Sequence, residues 1–290
     1  MLKISLCFTL FLLLCTGVEA DFILKPETLS PGGVALLCWQ GPETPHDLLQ
    51  VTFSGTELPL LQRNNRPCAL IGVDLDHAPG LWPLTIESVA PSGSKQRTHL
   101  SLRIEGVERP AQKLTLPKQM VTPTETKIVQ QIEKDRKRLD QVFKRRQPVH
   151  FSPPFLRPVE GEVISTFGLR RILNGIPKSP HNGVDFRGAT GTPIKAMARG
   201  EVALADDLYY TGMTVILDHG GGLFSLYAHL DALSVTAGEM VEPGKWIGTI
   251  GSTGRSTGPH LHMGTRLGKA RIDPLALLAL FADEKRAEKR

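Results

Sequence analysis

At 290 residues, with 41% hydrophobic and 22% charged content, the chain exceeds one average domain and has apolar material for two packed cores, so two domains are expected. The formal net charge of +5 selects no partner by itself. It does not make the chain a nucleic-acid binder, because an exported protein meets chiefly anionic wall polymer and lipid.

Residues 1–20, MLKISLCFTLFLLLCTGVEA, combine a basic start at Lys3, an apolar run from Ile4 to Cys15 and small residues before Ala20, the pattern of a removable signal peptide. The run falls short of the roughly 20 residues that a spanning helix needs, so a membrane is expected as a partner only if the segment stays uncleaved. Leu14 stands where a lipidation signal before Cys15 would carry a small residue. Cleavage after Ala20 would leave Cys38 and Cys68 as an even pair in an oxidising compartment, the periplasm or cell envelope, and a disulfide between them is expected.

Over residues 21–107 short β-rich runs (VALLCW, LLQVTFSG, CALIGVDL, GLWPLTIESV, THLSLRIEGV) are separated by turn clusters such as SPGG, NNRP and HAPG. This spacing predicts a small immunoglobulin-like β-sandwich, although the two cysteines stand closer in sequence than an inter-sheet disulfide of antibody domains would place them. His46, His77 and His99 are scattered among its turns and strands and converge on nothing. Envelope proteins are possible partners of this domain.

Residues 108–150 read as a linker with a helix in TPTETKIVQQIEKDRKRLDQVFKRR, where Ile128, Ile132, Leu139 and Phe143 recur near helical spacing and Thr124 is placed to cap. Its polar faces are basic: a solvated face packing one stripe on a neighbour, or a contact to anionic envelope polymer. His150 is expected to be solvated.

From 151 to 282 the composition turns to Gly, Thr and β-branched residues, and an all-β second domain is expected from VISTFG, VDFRG, PIKAMA, GEVALADD, MTVILDH, LFSLYAHL, WIGTIG and HLHMGTR. PLALLALF is its one evident helix, and 283–290 form a charged tail.

Five of the nine histidines fall between His181 and His262. In a strand, alternate side chains share a face, so His260 and His262 of HLH point one way with Leu261 turned to the core. His181 and Asp185 of HNGVD have the same parity, and LYAHL can bring His229 in beside them. Two histidines and a carboxylate make a three-ligand set that leaves a fourth position open, as hydrolytic zinc sites require.

HxxxD, a histidine in a YAHL strand and HxH, in that order, closely resemble the signature of the M23 metallopeptidases, the lysostaphin and LytM-like peptidoglycan endopeptidases. The likeness runs from about Pro154 to Leu278 through FGLR, HNGVDFRG, LDHGGG, LYAHL and VEPGKWIGTIGSTGRSTGPHLH. It implies a duplicated hybrid β motif in a mostly β chain, Zn²⁺ held by His181, Asp185 and His262, and catalytic His229 and His260 beside the attacking water and the developing oxyanion. It implies as substrate the peptide cross-links of peptidoglycan. Some relatives have lost ligands and activate other wall hydrolases; every position of the set is present here, so an active peptidase is expected. His219 of LDHGGG also matches a family position, but at a hairpin it is expected to be structural.

MVEPGKWIGTIG also resembles the hybrid barrel of lipoyl carriers and of sugar-phosphotransferase IIA domains. The export signal and Asp185 argue against both. A regulatory module with a structural zinc site is the other alternative, against which stands the count of three ligands, since closed sites supply four.

Overall fold

The structure, a computed structural model, describes residues 22–40, 47–89 and 94–282. Residues 1–20, where an export signal is expected, the tail 283–290 and His46 lie outside the described residues. The chain is mostly β, as expected. Among the described residues no helix is long and apolar enough to cross a membrane.

The N-terminal strands form two sheets. One runs Phe22–Lys25, Val34–Trp39, Arg66–Gly72, Leu60–Arg63; the other runs Thr28–Leu29, Lys95–Ile104, Gly80–Val89, Asp47–Phe53, Thr56–Glu57. The sequence patterns explain which sheet lies where. Gly80–Val89 alternates buried and open positions toward its end, the mark of a sheet with one wet face. VALLCW and RPCALIG are instead almost continuously apolar, and the first sheet is covered on both faces. Ala35, Leu37, Ala69 and Ile71 meet Leu84, Ile86 and Leu102 inside the sandwich. Leu36, Cys68 and Leu70, on the opposite face, belong to one core with Val184, Phe186, Leu267 and Ile272 of the C-terminal region. At about 1.5–3 kcal/mol for each such side chain, this second face holds the two parts together. Arg271 reinforces the joint, its Nη2 donating to Asp74 Oδ1 at 2.6 Å and its Nε to Oδ2 at 3.1 Å.

Cys38 and Cys68 are disulfide-bonded. They stand directly opposite each other on neighbouring antiparallel strands of one sheet, which is why their spacing is shorter than that of a bridge between sheets.

The linker is more structured than a solvated spacer. Ala111–Leu114 pairs in parallel with Arg170–Leu173, which pairs with Ile176–Lys178, so the linker contributes a strand to a small sheet separate from the large C-terminal one. The helix runs Thr126–Phe143; its N-cap is Glu125, and Thr124 makes no cap. Leu139, Val142 and Phe143 pack on Leu204, Leu208, Ile216 and Phe224. Its basic residues are partly spent internally: Arg138 pairs with Asp206, and beyond the helix end Arg145 pairs with Glu201 at 2.6 Å. His150 is half-buried rather than solvated, its Nε2 3.3 Å from Gln147 Oε1.

The C-terminal strands form one large sheet in the order Val163–Ser165, Gly183–Arg187, His260–Leu267, Leu223–Leu233, Gly212–Gly220, Gly200–Leu208, Met240–Val241, with Trp246–Ile250 joining Leu223–Leu233 to Pro193–Lys195. Pro274–Leu280 closes it as a short helix, capped by Asp273 Oδ1 accepting from Leu275 N at 2.9 Å. The two strands with HxxxD and HxH lie side by side in the middle, and the YAHL strand flanks the second.

Candidate metal centre

In the antiparallel pair Gly183–Arg187 and His260–Leu267, Asp185 faces His262 directly, and Ala228 faces His262 from the other side. Register alone therefore brings the aspartate and the second histidine of HxH together. The approach of the two strands is close at Gly183: a Cβ there would lie 2.3 Å from Met263 O and 2.6 Å from the His262 ring. The glycine of HNGVD is thus required by the position of His262.

His181 arrives differently from the parity argument. It precedes the strand, held in a loop by its N–H on Leu169 O and by Gly168 N–H on its own carbonyl. His229 is also off the regular pattern, with φ of 64° in the sparsely used left-handed region. The ladder with Gly212–Gly220 is irregular here, Val215 facing Tyr227 and Met213 facing Leu230, so the strand bulges and His229 is swung toward the cleft.

Three donor atoms converge. His181 Nε2 lies 3.0 Å from His262 Nδ1 and 3.0 Å from Asp185 Oδ1, and the last two are 2.8 Å apart. All three residues are largely buried, His181 at 4% and Asp185 at 6% exposure. Corners this far apart suit donors sharing one small cation at about 2.0–2.2 Å. The surrounding hydrogen bonds leave those atoms available. His181 Nδ1 is 2.9 Å from Thr166 O, so its N–H donates there and Nε2 keeps its lone pair. Arg171 Nη2 donates to Asp185 Oδ2 at 3.1 Å, leaving Oδ1 to the cluster.

The protonation states fit as well. Burial, joined by the His262 charge and opposed by Asp185, lowers the His181 pKa to about 4, so the ring is neutral at neutral pH. For Asp185 burial alone would raise the pKa, but the His181 and His262 rings against it overcome this and hold the carboxyl well below the usual range. Both groups thus present deprotonated donors, as metal ligands must.

Two further imidazoles border the cluster. The His229 ring centroid is 4.9 Å from that of His260 and 5.9 Å from that of His262. Its Nδ1 lies 2.8 Å from Thr253 O, which fixes the tautomer with Nε2 bare, and burial followed by the His262 and His260 charges lowers its pKa to about 3. His260 Nδ1 is 2.7 Å from Gly258 O, and its Nε2 lies 3.9 Å from Asp185 Oδ1. All five residues singled out in the sequence line one cleft of about 510 Å³.

His219 is elsewhere, fully buried, Nδ1 2.8 Å from Arg199 O and Nε2 2.7 Å from Ser225 Oγ, in a chain of polar groups that continues to Tyr227. That is the structural role expected of it. Sequence reading missed Arg171, Thr166 and Thr253, which orient the cluster. Arg171 belongs to the quoted FGLR stretch only by adjacency, and the other two act through backbone carbonyls, which no side-chain pattern records.

A mostly β domain with a buried His–Asp–His donor cluster and two further imidazoles beside it has the composition of a metal-dependent hydrolase site. Residues 179–274 match the family model Peptidase family M23, and the chain carries a domain of that family. It is 40% identical over 97 residues to the DD-carboxypeptidase/endopeptidase Mpg of Neisseria meningitidis, covering 33% of this chain and 22% of that one. It is 39% identical over 109 residues to the peptidoglycan DD-endopeptidase ShyA of Vibrio cholerae, covering 36% and 25%. The chain thus spans about a quarter of the length of these curated relatives. A Pseudomonas aeruginosa crystal structure described as a peptidase M23 superposes with a TM-score of 0.65 at 28% identity, over 87% of this chain and 96% of that one. That match takes in the N-terminal sandwich as well as the C-terminal domain.

Proposed function

We propose that the protein is an exported zinc metalloendopeptidase that hydrolyses peptide cross-links of peptidoglycan in the periplasm or cell envelope. The observation that carries this reading is the 2.8–3.0 Å triangle of His181 Nε2, Asp185 Oδ1 and His262 Nδ1 with two more imidazoles against it. The two curated relatives named above act, by their names, on peptidoglycan or as DD-endopeptidases, which supports the substrate class.

His181, Asp185 and His262 would hold zinc, and the ion, when bound, supplies Lewis-acid polarisation of the carbonyl and a lowered pKa for water. The chain's own residues supply the rest. Asp185 offers one oxygen to the metal while Arg171 fixes the other, so the carboxylate cannot swing. His229, neutral and pinned at Nδ1, presents an unprotonated Nε2 to the cleft and can accept a hydrogen bond, and in the reaction a proton, from the attacking water. His260, pinned at Nδ1 by Gly258 O, presents the same atom from beside it. Together they can shuttle the proton to the leaving amine and stabilise charge on the carbonyl oxygen. The two tethers to backbone carbonyls hold both rings in place before substrate arrives.

The test is incubation of the chain from Asp21 onward with purified peptidoglycan, with and without a zinc chelator, reading soluble muropeptides by mass spectrometry. Chelator-sensitive release is expected, and its mass identifies the bond cut. Zinc bound with no release would refute the enzyme reading and leave a regulatory protein.

A further inference from the structure

The cleft has a second chemical character besides its donor cluster. Among the described residues that line it, Arg171, Lys178 and Arg255 are cationic and Asp185 is the one carboxylate. Asp185 is already committed to Arg171 and to the imidazoles. That leaves the cleft with uncompensated positive charge at Arg255 and Lys178, for neither of which a described residue provides an ion pair.

Arg255 is placed with care. Its backbone N–H donates to Tyr210 O at 2.8 Å, and its guanidinium carbon lies 4.4 Å above the Tyr210 ring. The hairpin carrying Tyr210 is clamped from outside: Asp135 of the linker helix accepts from Tyr209 N at 2.8 Å, and Tyr209 Oη donates to Gln119 O at 3.0 Å. The hairpin and the Arg255 loop are in backbone contact, since a Cβ on Gly212 would lie 2.6 Å from Gly254 N. A guanidinium held over an aromatic ring and tethered in this way, with no side-chain hydrogen bond or ion pair to a described residue, keeps N–H groups for a partner in the cleft. Their planar fork matches a carboxylate bidentately.

We propose that Arg255 is a specificity-determining residue that binds a free carboxylate on the substrate, on the residue whose amine forms the scissile amide. The inference rests on the peptidase reading above and deepens it. It favours an anionic cross-link, such as D-alanyl-diaminopimelate, whose second residue keeps a carboxylate beside the amide nitrogen, over an uncharged glycine bridge. Lys178, opposite Arg171 in the small sheet, adds charge of the same sign without the fork.

The test is calorimetric binding to the full mature chain of a dimeric stem peptide in which a ketomethylene replaces the scissile amide, so that nothing is cut. Three forms are compared: carboxylates free, the one beside the scissile position converted to carboxamide, and only the chain-terminal one converted. The first carboxamide is expected to weaken binding about tenfold or more, and the terminal one to leave it unchanged. In Arg255→Gln the free peptide should bind as weakly as its carboxamide, and Arg255→Lys should recover part of the difference. Equal binding of free and amidated peptides by the native chain would overturn the proposal, as would a preference retained in Arg255→Gln or loss on terminal amidation. Because binding is read without turnover, a chain that discriminates these peptides yet digests no wall would refute the peptidase reading and keep this one.

Discussion

Gly183→Ala is the sharpest test of how the fold positions the centre. The new Cβ would stand 2.3 Å from Met263 O, a backbone atom, and 2.6 and 2.8 Å from His262 Cε1 and Nε2. Ordinary contact begins at 3.4 Å, so the two strands must part by about 1 Å, or the His262 ring must turn away. Either movement opens a donor triangle whose sides are 2.8–3.0 Å. Overpacking of this kind costs about 1–3 kcal/mol of stability, and a 1 Å misplacement in a catalytic site costs on the order of 100-fold in rate. Thermal unfolding and a chelator-competition assay of zinc affinity would measure both. Weakened zinc binding is expected with a melting temperature several degrees lower. Native zinc affinity in Gly183→Ala would refute the claim that this glycine exists to admit His262.

Other expectations follow from the same geometry. His181→Ala should lose zinc and activity together, whereas His229→Ala should keep zinc, by metal analysis, and lose about 100-fold or more in turnover. His219 is buried with its pKa lowered to about 4, so the unfolded chain binds its proton first as pH falls. Its contribution to stability is therefore present above about pH 6.5 and lost between 6.5 and 4, amounting to about 3 kcal/mol. Denaturant unfolding across that window should show a flatter acid slope in His219→Gln. Replacing Cys38 and Cys68 by Ala frees a loop with a sequence separation of 30. It should lower stability by about 3–4 kcal/mol, read by denaturant midpoint, while leaving the zinc site in place.

Much of the site was legible because strand alternation is a strong rule. HLH had to present two imidazoles on one face, and the antiparallel register then set Asp185 opposite His262. His181 and His229 reached the cleft by less regular means, a tethered loop and a bulge with positive φ, so period-two reasoning placed them beside the cluster for an incomplete reason. The sandwich was readable from its turn clusters. Its attachment was not: the continuous apolar runs VALLCW and CALIG could have been two-sided burial within one domain or a docking face, and sequence does not distinguish them. The linker strand at Ala111–Leu114 was hidden because AQKL is too short and polar to announce itself; its partner Arg170–Leu173 supplies the order. Thr124 failed as a cap because the helix begins at Thr126, one turn position later than the capping pattern suggested.

The central claim is that His181, Asp185 and His262 hold one catalytic zinc. It is tested most directly by stripping the purified chain of metal and titrating zinc back while following muropeptide release from peptidoglycan. Release should rise with added zinc and level off at one equivalent per chain, and His181→Ala should show no recovery at any point of the titration. Undiminished release from the stripped chain, or full recovery in His181→Ala, would contradict the account.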